Sequence, residues 1–366
     1  MTCTVFQAII NIIKECCFTN KHNLNNASPL TGGIALAGNI LVDMVKTIES
    51  YPNVGMLSTI TDVKLSVGGC VPNTGINLAK IDSTVSLEAI GQIGNDENGR
   101  YAVAQMEKYG MRTDKISVTA DAPTSFSDVM SQPSGERTFF HSRGANATFS
   151  PANIDISKIN SSILHIGYIL LLDSFDQPDS EYGTVMARFL HDVREAGIKT
   201  SIDVVSSNDA DYNRTISPAL KYCNYFIVNE IECCGIWGLD PYNENGEIQT
   251  DRIRLAMEKC VEHGVAEKVV VHSKKVSFCL DAKSGNFTAV PSLKIPRELI
   301  KGSVGAGDAF CAACLYGLYN AFDDKFLLEF ASAAAACNLF AENSVDGMME
   351  KSEILKMAEK YERLPL

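Results

Sequence analysis

Gly302-Ser303-Val304-Gly305-Ala306-Gly307-Asp308-Ala309-Phe310 follows a strand-like region and opens a small-residue helix that runs to Asn320. Glycines at 302, 305 and 307 leave backbone amides uncovered at a helix N-terminus, where unpaired N–H groups and the positive end of the dipole favour an anion. A phosphate fits such a cradle. Asp308, at its edge, makes chemical sense as the group that takes a proton from a hydroxyl attacking the phosphoryl group. Two commoner glycine motifs fail here. The Gly302 to Gly307 spacing matches a Walker loop, but Asp308 and Ala309 stand where Lys and Ser/Thr belong. A dinucleotide fingerprint starting at Gly305 needs glycine at position 310, which is Phe310.

A chain of 366 residues can bury roughly 75% of its extended surface, enough for one large or two modest domains. The composition, 46% hydrophobic and 21% charged, is that of a globular chain, and no apolar run reaches the ~18 residues of a membrane span. A net charge of −12 opposes non-specific nucleic-acid binding. The twelve cysteines show no disulfide framework and no secretory signal precedes them, so reduced thiols and a cytoplasmic location are expected. Cys311-x-x-Cys314 has no second pair at metal-ligand spacing and reads as helix packing.

Residues 1 to 30 carry apolar groups at helical spacing (Phe6, Ile9, Ile10, Ile13) followed by a polar run, an appended helix and linker. The domain proper spans 31–366. It opens on an apolar strand from Gly33, ending in a loop that holds Asp43, either a loop cap or a carboxylate gripping substrate hydroxyls. In Gly68-Gly69-Cys70-Val71-Pro72-Asn73 the double glycine allows close approach of a ligand, and Asn73 is the N-cap of the next helix, a substrate contact, or both. Residues from about 56–67 and 124–144 alternate at period two without a covering helix. They predict a small separate sheet, a lid, with Phe139, His141 and Arg143 on one face of its last run.

From Ile163 strands alternate with helices stopped by Gly197 and Gly264, which means parallel βαβ units: an α/β fold, doubly wound, with helices on both faces of a mainly parallel sheet. Ligands then sit beyond the carboxyl ends of the strands. That rule selects Asp203, the run Asn229-Glu230-Ile231-Glu232, the pair His272-Ser273 and the Gly305 to Asp308 loop. Glu232 is either a first-turn cap or a carboxylate holding the divalent metal of a phosphoryl-transfer site.

These motifs, with Gly91-Gln92-Ile93-Gly94-Asn95-Asp96-Glu97-Asn98-Gly99 between them, resemble in order and spacing the PfkB carbohydrate kinase family, the ribokinase-like kinases. Gly305-Ala306-Gly307-Asp308 is the most specific mark. The resemblance implies an α/β core with a β-sheet lid and transfer of the γ-phosphate of ATP, with Mg²⁺, to a hydroxyl of a sugar or related small molecule. It makes Asp308 the base and the Gly305, Ala306 and Gly307 amides the anion hole. Asp43, Gly69 and Asn73 would hold the substrate, and Asn229 and Glu232 would face the phosphates and Mg²⁺, with His272 and Ser273 beside the nucleotide. Two departures stand out. His272-Ser273-Lys274-Lys275-Val276-Ser277 replaces a Thr-x-Gly-x-x-Gly loop, and Gly302-Ser303-Val304 replaces Asp-Thr-Thr, so the monovalent-cation site of some relatives is not carried over to this chain.

The leading expectation is a sugar kinase. A nucleoside kinase on the same fold would stack the base on Phe126, Phe139 or Phe140; a weakly catalytic sugar-binding protein is the reading from another class, motivated by the altered His272 to Ser277 loop. His141 and Arg143, if inward, would suit an acidic substrate. A lid with exposed edges would also suit a homodimer, and a helix N-terminus is expected to lower the basicity of Asp308.

Overall fold

The computed structural model describes residues 28–132, 136–206 and 211–365; the appended helix expected within residues 1–30 falls almost wholly outside them. Strand β1 (Ile34–Gly38) is apolar at every position before its glycine and buried on both sides, as a central strand of a parallel sheet must be. Ile34 and Leu36 point into one core and Ala35 and Ala37 into the other. Around it the sheet runs β15 (Phe287–Pro291), β14 (Val276–Asp281), β13 (Lys268–His272), β12 (Tyr225–Asn229), β11 (Lys199–Val204), β8 (Ile163–Ile169), β1, β4 (Leu87–Gly94), β5 (Arg112–Thr119). All pairings are parallel except β13 with β14 and β14 with β15. The edge strands β5 and β15, and β14 next to the latter, lie outside the strand–helix series read from the sequence.

One core holds α1 (Cys70–Ile81), α2 (Glu97–Lys108), α7 (Ala306–Tyr319), α8 (Asp324–Asn338) and α9 (Lys351–Lys360). The other holds α3 (Val185–Glu195), α4 (Tyr212–Leu220), α5 (Glu230–Gly235) and α6 (Thr250–Glu262). The doubly wound expectation therefore holds. Helix α4 begins at Tyr212 because Asp211 accepts from the Arg214 amide and caps it, and Pro218 lies in its last turn. A short two-stranded piece, β9 (Pro178–Asp179) with β10 (Gly183–Thr184), precedes α3, whose cap is Thr184.

The small sheet has the order β3 (Ile60–Gly68), β2 (Leu41–Ile48), β6 (Ser125–Ser131), β7 (Arg137–Ser142). Strand β2 corrects one expectation: Gly38, at φ 123, breaks the Gly33 to Asp43 stretch, so Asp43 lies within β2 of the lid and not in a loop. The register aligns Ser66, Asp43, Ser127 and His141 across the four strands on one face. Lid and core meet at Gly69, the N-cap of α1 with φ 90. A Cβ there would stand 2.4 Å from the Asn39 carbonyl oxygen. Gly69→Ala is accordingly expected to cost roughly 2–3 kcal/mol, read as a lower midpoint in urea unfolding. Among the described residues no helix is long and apolar enough to cross a membrane, and every cysteine there is a free, buried thiol.

Candidate active site

The glycine loop lies where the motif places it. Gly305 is the N-cap of α7 in the left-handed region, φ 76, and a Cβ on it would collide with Ser344 at 2.4 Å. Gly307, in the first turn of the helix, has a different reason for being glycine. A methyl group added at this position would have His272 Cε1 as its nearest neighbour at 3.5 Å, an ordinary contact, and the position opens on a cleft of about 270 Å³. Packing tolerates a side chain there; a ligand on the amides would not.

Asp308 is buried at the start of α7 and gripped from two sides. The Tyr168 hydroxyl donates to Oδ1 at 2.8 Å, and the Asn73 amide donates to Oδ2 at 3.0 Å. Loss of hydration pushes the carboxyl up to about 7, with the neighbouring Asp203 adding to the rise, while the Tyr168 and Asn73 bonds oppose it. The expected lowering by the helix N-terminus is thus outweighed by burial. Asn73 is inside the first turn of α1 and is not its N-cap, a role held by Gly69. Its Oδ1 is buried and has no hydrogen-bond partner among the described residues, a free acceptor beside the carboxylate.

Tyr168 is the site residue that sequence reasoning missed. Its φ of 65, with Leu170 at 81, is a conformation that side chains rarely adopt. It is held there by its own N–H, which donates to Asp203 Oδ1 at 2.6 Å, where the register between β11 and β8 shifts between Ile202 and Val204. A bulge that re-aims one side chain leaves no mark in hydrophobic periodicity.

The cleft is lined by Asp203, Ser206, Asn229, Glu232, His272, Gly305, Gly307 and Asp308, bringing together most of the strand-end residues selected from the sequence but not Glu230, Ile231 or Ser273. Asn229 and Glu232 form a capping box at the start of α5. Asn229 Oδ1 accepts from the Glu232 amide at 2.8 Å and Glu232 Oε2 accepts from the Asn229 amide at 3.0 Å. Glu232 Oε1 accepts from the Ser206 hydroxyl at 2.8 Å, and burial raises this carboxyl to about 7. His272 rests its ring 4.9 Å from that of Phe310, and burial depresses it to about 4, so it faces the cleft uncharged. Ser273 turns away from the cleft: its hydroxyl donates to the Val276 carbonyl and closes a tight hairpin with Lys274 and Lys275 exposed at the tip.

On the other side of Asp308 stands the lid face that carries Asp43. Burial raises Asp43 to about 6, partly offset by a bond from Ser127. A Cβ on Gly68 would meet Asp43 Oδ2 at 2.5 Å, and Gly69 is closed off by Asn39, so both glycines already have protein neighbours where a side chain would go. A second cleft of about 830 Å³ lies between this lid face and the segment 340–349, with Lys64, Arg137 and Lys301 on its walls. Lys64 pairs with Glu342 at 2.8 Å across it. His141 shares the Asp43 face but burial lowers its pKa, and Arg143 is engaged by Asp173 at 2.9 Å. Phe126 and Phe140 fall on the opposite face, leaving Phe139 as the lid aromatic on the Asp43 side.

This arrangement has known relatives. An ATP-dependent ribose-1-phosphate kinase from Halopiger xanaduensis is 24% identical over 302 residues, 82% of this chain and 89% of that protein. A ribokinase from Dictyostelium discoideum is 23% identical over 318 residues, 84% and 94% of the two chains. The structure of Arabidopsis thaliana ribokinase complexed with ribose and ATP superposes with a TM-score of 0.72 at 22% identity, covering 91% of this chain and 99% of that one, which shows the shared fold. The family model of the pfkB carbohydrate kinases matches residues 34–351, from the first residue of β1 to the first of α9. The chain belongs to the pfkB family of carbohydrate kinases, enzymes that transfer phosphate to an alcohol group.

Proposed function

We propose that this kinase transfers the γ-phosphate of ATP to a hydroxyl of a sugar or sugar derivative, with Asp308 as the base and the amides of Gly305, Ala306 and Gly307 as the anion hole. The observation that carries the reading is the placement of a buried carboxylate, fixed through both oxygens by Tyr168 and Asn73, at the head of a helix whose glycine opens on a cleft. Asp308 takes the acceptor proton as the hydroxyl attacks; the uncovered amides meet the charge that develops on the transferring phosphoryl group. The unpaired Asn73 Oδ1 accepts from a substrate hydroxyl, and Asp43 takes two more from the lid side, the grip Gly69 shares only through its backbone. Acceptors outnumber aromatics on this lid face, which favours a polyol over a nucleobase.

Oxygen donors at Ser206, Asn229 and Glu232 line the cleft beside the loop, a set suited to a hard cation, so Glu232 is the residue to hold Mg²⁺ and Asn229 and His272 to face the nucleotide. Bound Mg²⁺ would supply neutralisation of the phosphate charge. Ser273, tied into its hairpin, would touch nucleotide only through its backbone.

An ADP-release screen over pentoses, hexoses, sugar acids, sugar phosphates and nucleosides tests the substrate class. A sugar is expected to exceed every nucleoside in kcat/KM; turnover of adenosine or inosine with none of any sugar would overturn it. The pH dependence tests the base. Since Asp308 acts ionised and sits near 7 in the free protein, kcat/KM should rise with pH through about 7 and fall about tenfold per pH unit well below it. Tyr168→Phe removes a bond that stabilises the carboxylate, so its acid limb should move to higher pH in the same assay.

A further inference from the structure

Beside Asp308, on the cleft it shares with Asp203 and Cys311, lie three groups that the proposed reaction does not employ together. His165 comes from β8, Asp203 from the bulge in β11 and Cys311 from α7, and all three are buried. One ligand atom of each lies within 4.8 Å of the others. His165 Nε2 is 3.5 Å from Asp203 Oδ2 and 3.7 Å from Cys311 Sγ. The first distance is beyond an ordinary N–H···O bond, so the imidazole and the carboxylate face each other across a gap. A tetrahedral Zn²⁺, at about 2.0–2.3 Å from each ligand, holds nitrogen, oxygen and sulfur about 3.3–3.6 Å apart. The two separations from His165 Nε2 are close to those, and Asp203 and Cys311 lie within 4.8 Å of each other.

The surroundings orient two of the three ligands as a metal site does. His165 Nδ1 is engaged by the Ser201 hydroxyl at 3.0 Å, which leaves Nε2 toward the cluster. Asp203 Oδ1 accepts the Tyr168 amide at 2.6 Å, which leaves Oδ2 toward it. Asp203 and Cys311 both border the 270 Å³ cleft, a path for the ion and a source of water for a fourth position. A thiolate with an imidazole selects a borderline-soft ion over Mg²⁺ or Ca²⁺. The CxxC spacing plays no part, since Cys314 packs in the core beside α8.

We infer that His165, Asp203 and Cys311 form a Zn²⁺ site that ties β8, β11 and α7 together beside the catalytic carboxylate. Binding exchanges the Cys311 S–H bond for an S–Zn bond and releases the proton to solvent, with no change in oxidation state. The site braces the Asp203 carboxylate that holds Tyr168 in its left-handed conformation, and so bears on the position of the Tyr168 hydroxyl.

The test uses the full chain without nucleotide or sugar, so it stands apart from the kinase reading. Protein stripped by a chelator, reloaded with Zn²⁺ and passed through gel filtration should retain one equivalent of zinc. Loading with Co²⁺ should give the near-ultraviolet thiolate-to-cobalt charge-transfer band and the visible bands of a tetrahedral site. Cys311→Ser should abolish the charge-transfer band and Ser201→Ala should weaken zinc affinity ~10–100-fold, while Cys314→Ala should change neither. Retention of no zinc by the wild type, a cobalt spectrum without a thiolate band, or equal zinc retention by Cys311→Ser and His165→Gln would overturn the site. The wild-type cobalt spectrum decides the matter even if a variant fails to fold.

Discussion

Asp308→Asn is expected to lower kcat by ~10²–10⁴-fold, with KM for ATP changed far less, and to raise the melting temperature at pH 8. The first effect follows from removing the proton acceptor while keeping shape. Asparagine Oδ1 can still accept from the Tyr168 hydroxyl, and the Asn73 side chain, whose Oδ1 is unpaired, can turn to accept from the new amide. The second effect follows from linkage. The carboxyl sits near 7 in the folded protein against an ordinary 3.8, so the folded state holds a proton that the unfolded chain has released. This contribution to stability is complete below about pH 4 and is lost as pH rises through about 7. A neutral asparagine carries no such loss, so the stabilisation should appear above pH 7 and vanish at pH 4. Steady-state kinetics with thermal melts at both pH values check the pair; a variant within threefold of wild-type kcat would remove Asp308 from the role of base.

Gly307→Ala is expected to cost ~10²–10³-fold in kcat in a protein at least as stable as the parent. The helix gains roughly 0.5–1 kcal/mol from alanine over glycine, and the added methyl meets only the His272 ring at 3.5 Å. The same methyl projects over the amides that are to receive the phosphoryl oxygens, and a displacement of ~1 Å at a reacting centre is worth ~10²-fold. Gly305→Ala is the contrasting control, because there the Cβ strikes the Ser344 backbone at 2.4 Å and φ is 76. It should lose stability along with activity. Calorimetric melting beside initial rates separates the two cases, and full activity in Gly307→Ala would show that the amides do not receive the phosphoryl group.

Local chemistry made much of the fold legible. Glycines at 197 and 264, both at positive φ, end α3 and α6 where the sequence places the stops. The runs at Ile163, Tyr225 and Lys268 are buried strands of one parallel ladder because continuous apolar sequence has no other stable place in such a fold. What failed were single positions whose conformation is set from outside the segment. Asp43 read as a loop residue because the apolar run before it gives no sign of the break at Gly38, which arises where β1 leaves one sheet and β2 enters another. Glu232 remained two-sided in the sequence, and in the structure its carboxylate closes a capping box while lining the cleft.

The α/β series, the hairpin of the lid and the glycine-rich helix start that carries Asp308 could all be read from the chain alone, since each depends on periodicity, capping or glycine within a few residues. The surroundings of that carboxylate come instead from tertiary contacts. Asn73 lies 235 residues away from it in sequence and Tyr168 lies 140 away, and the bulge that aims Asp203 at the Tyr168 amide exists only once β8 and β11 have paired. Burial is likewise a property of the assembled core. It turns Asp308 from a carboxylate that a helix N-terminus would keep acidic into one that titrates near neutrality.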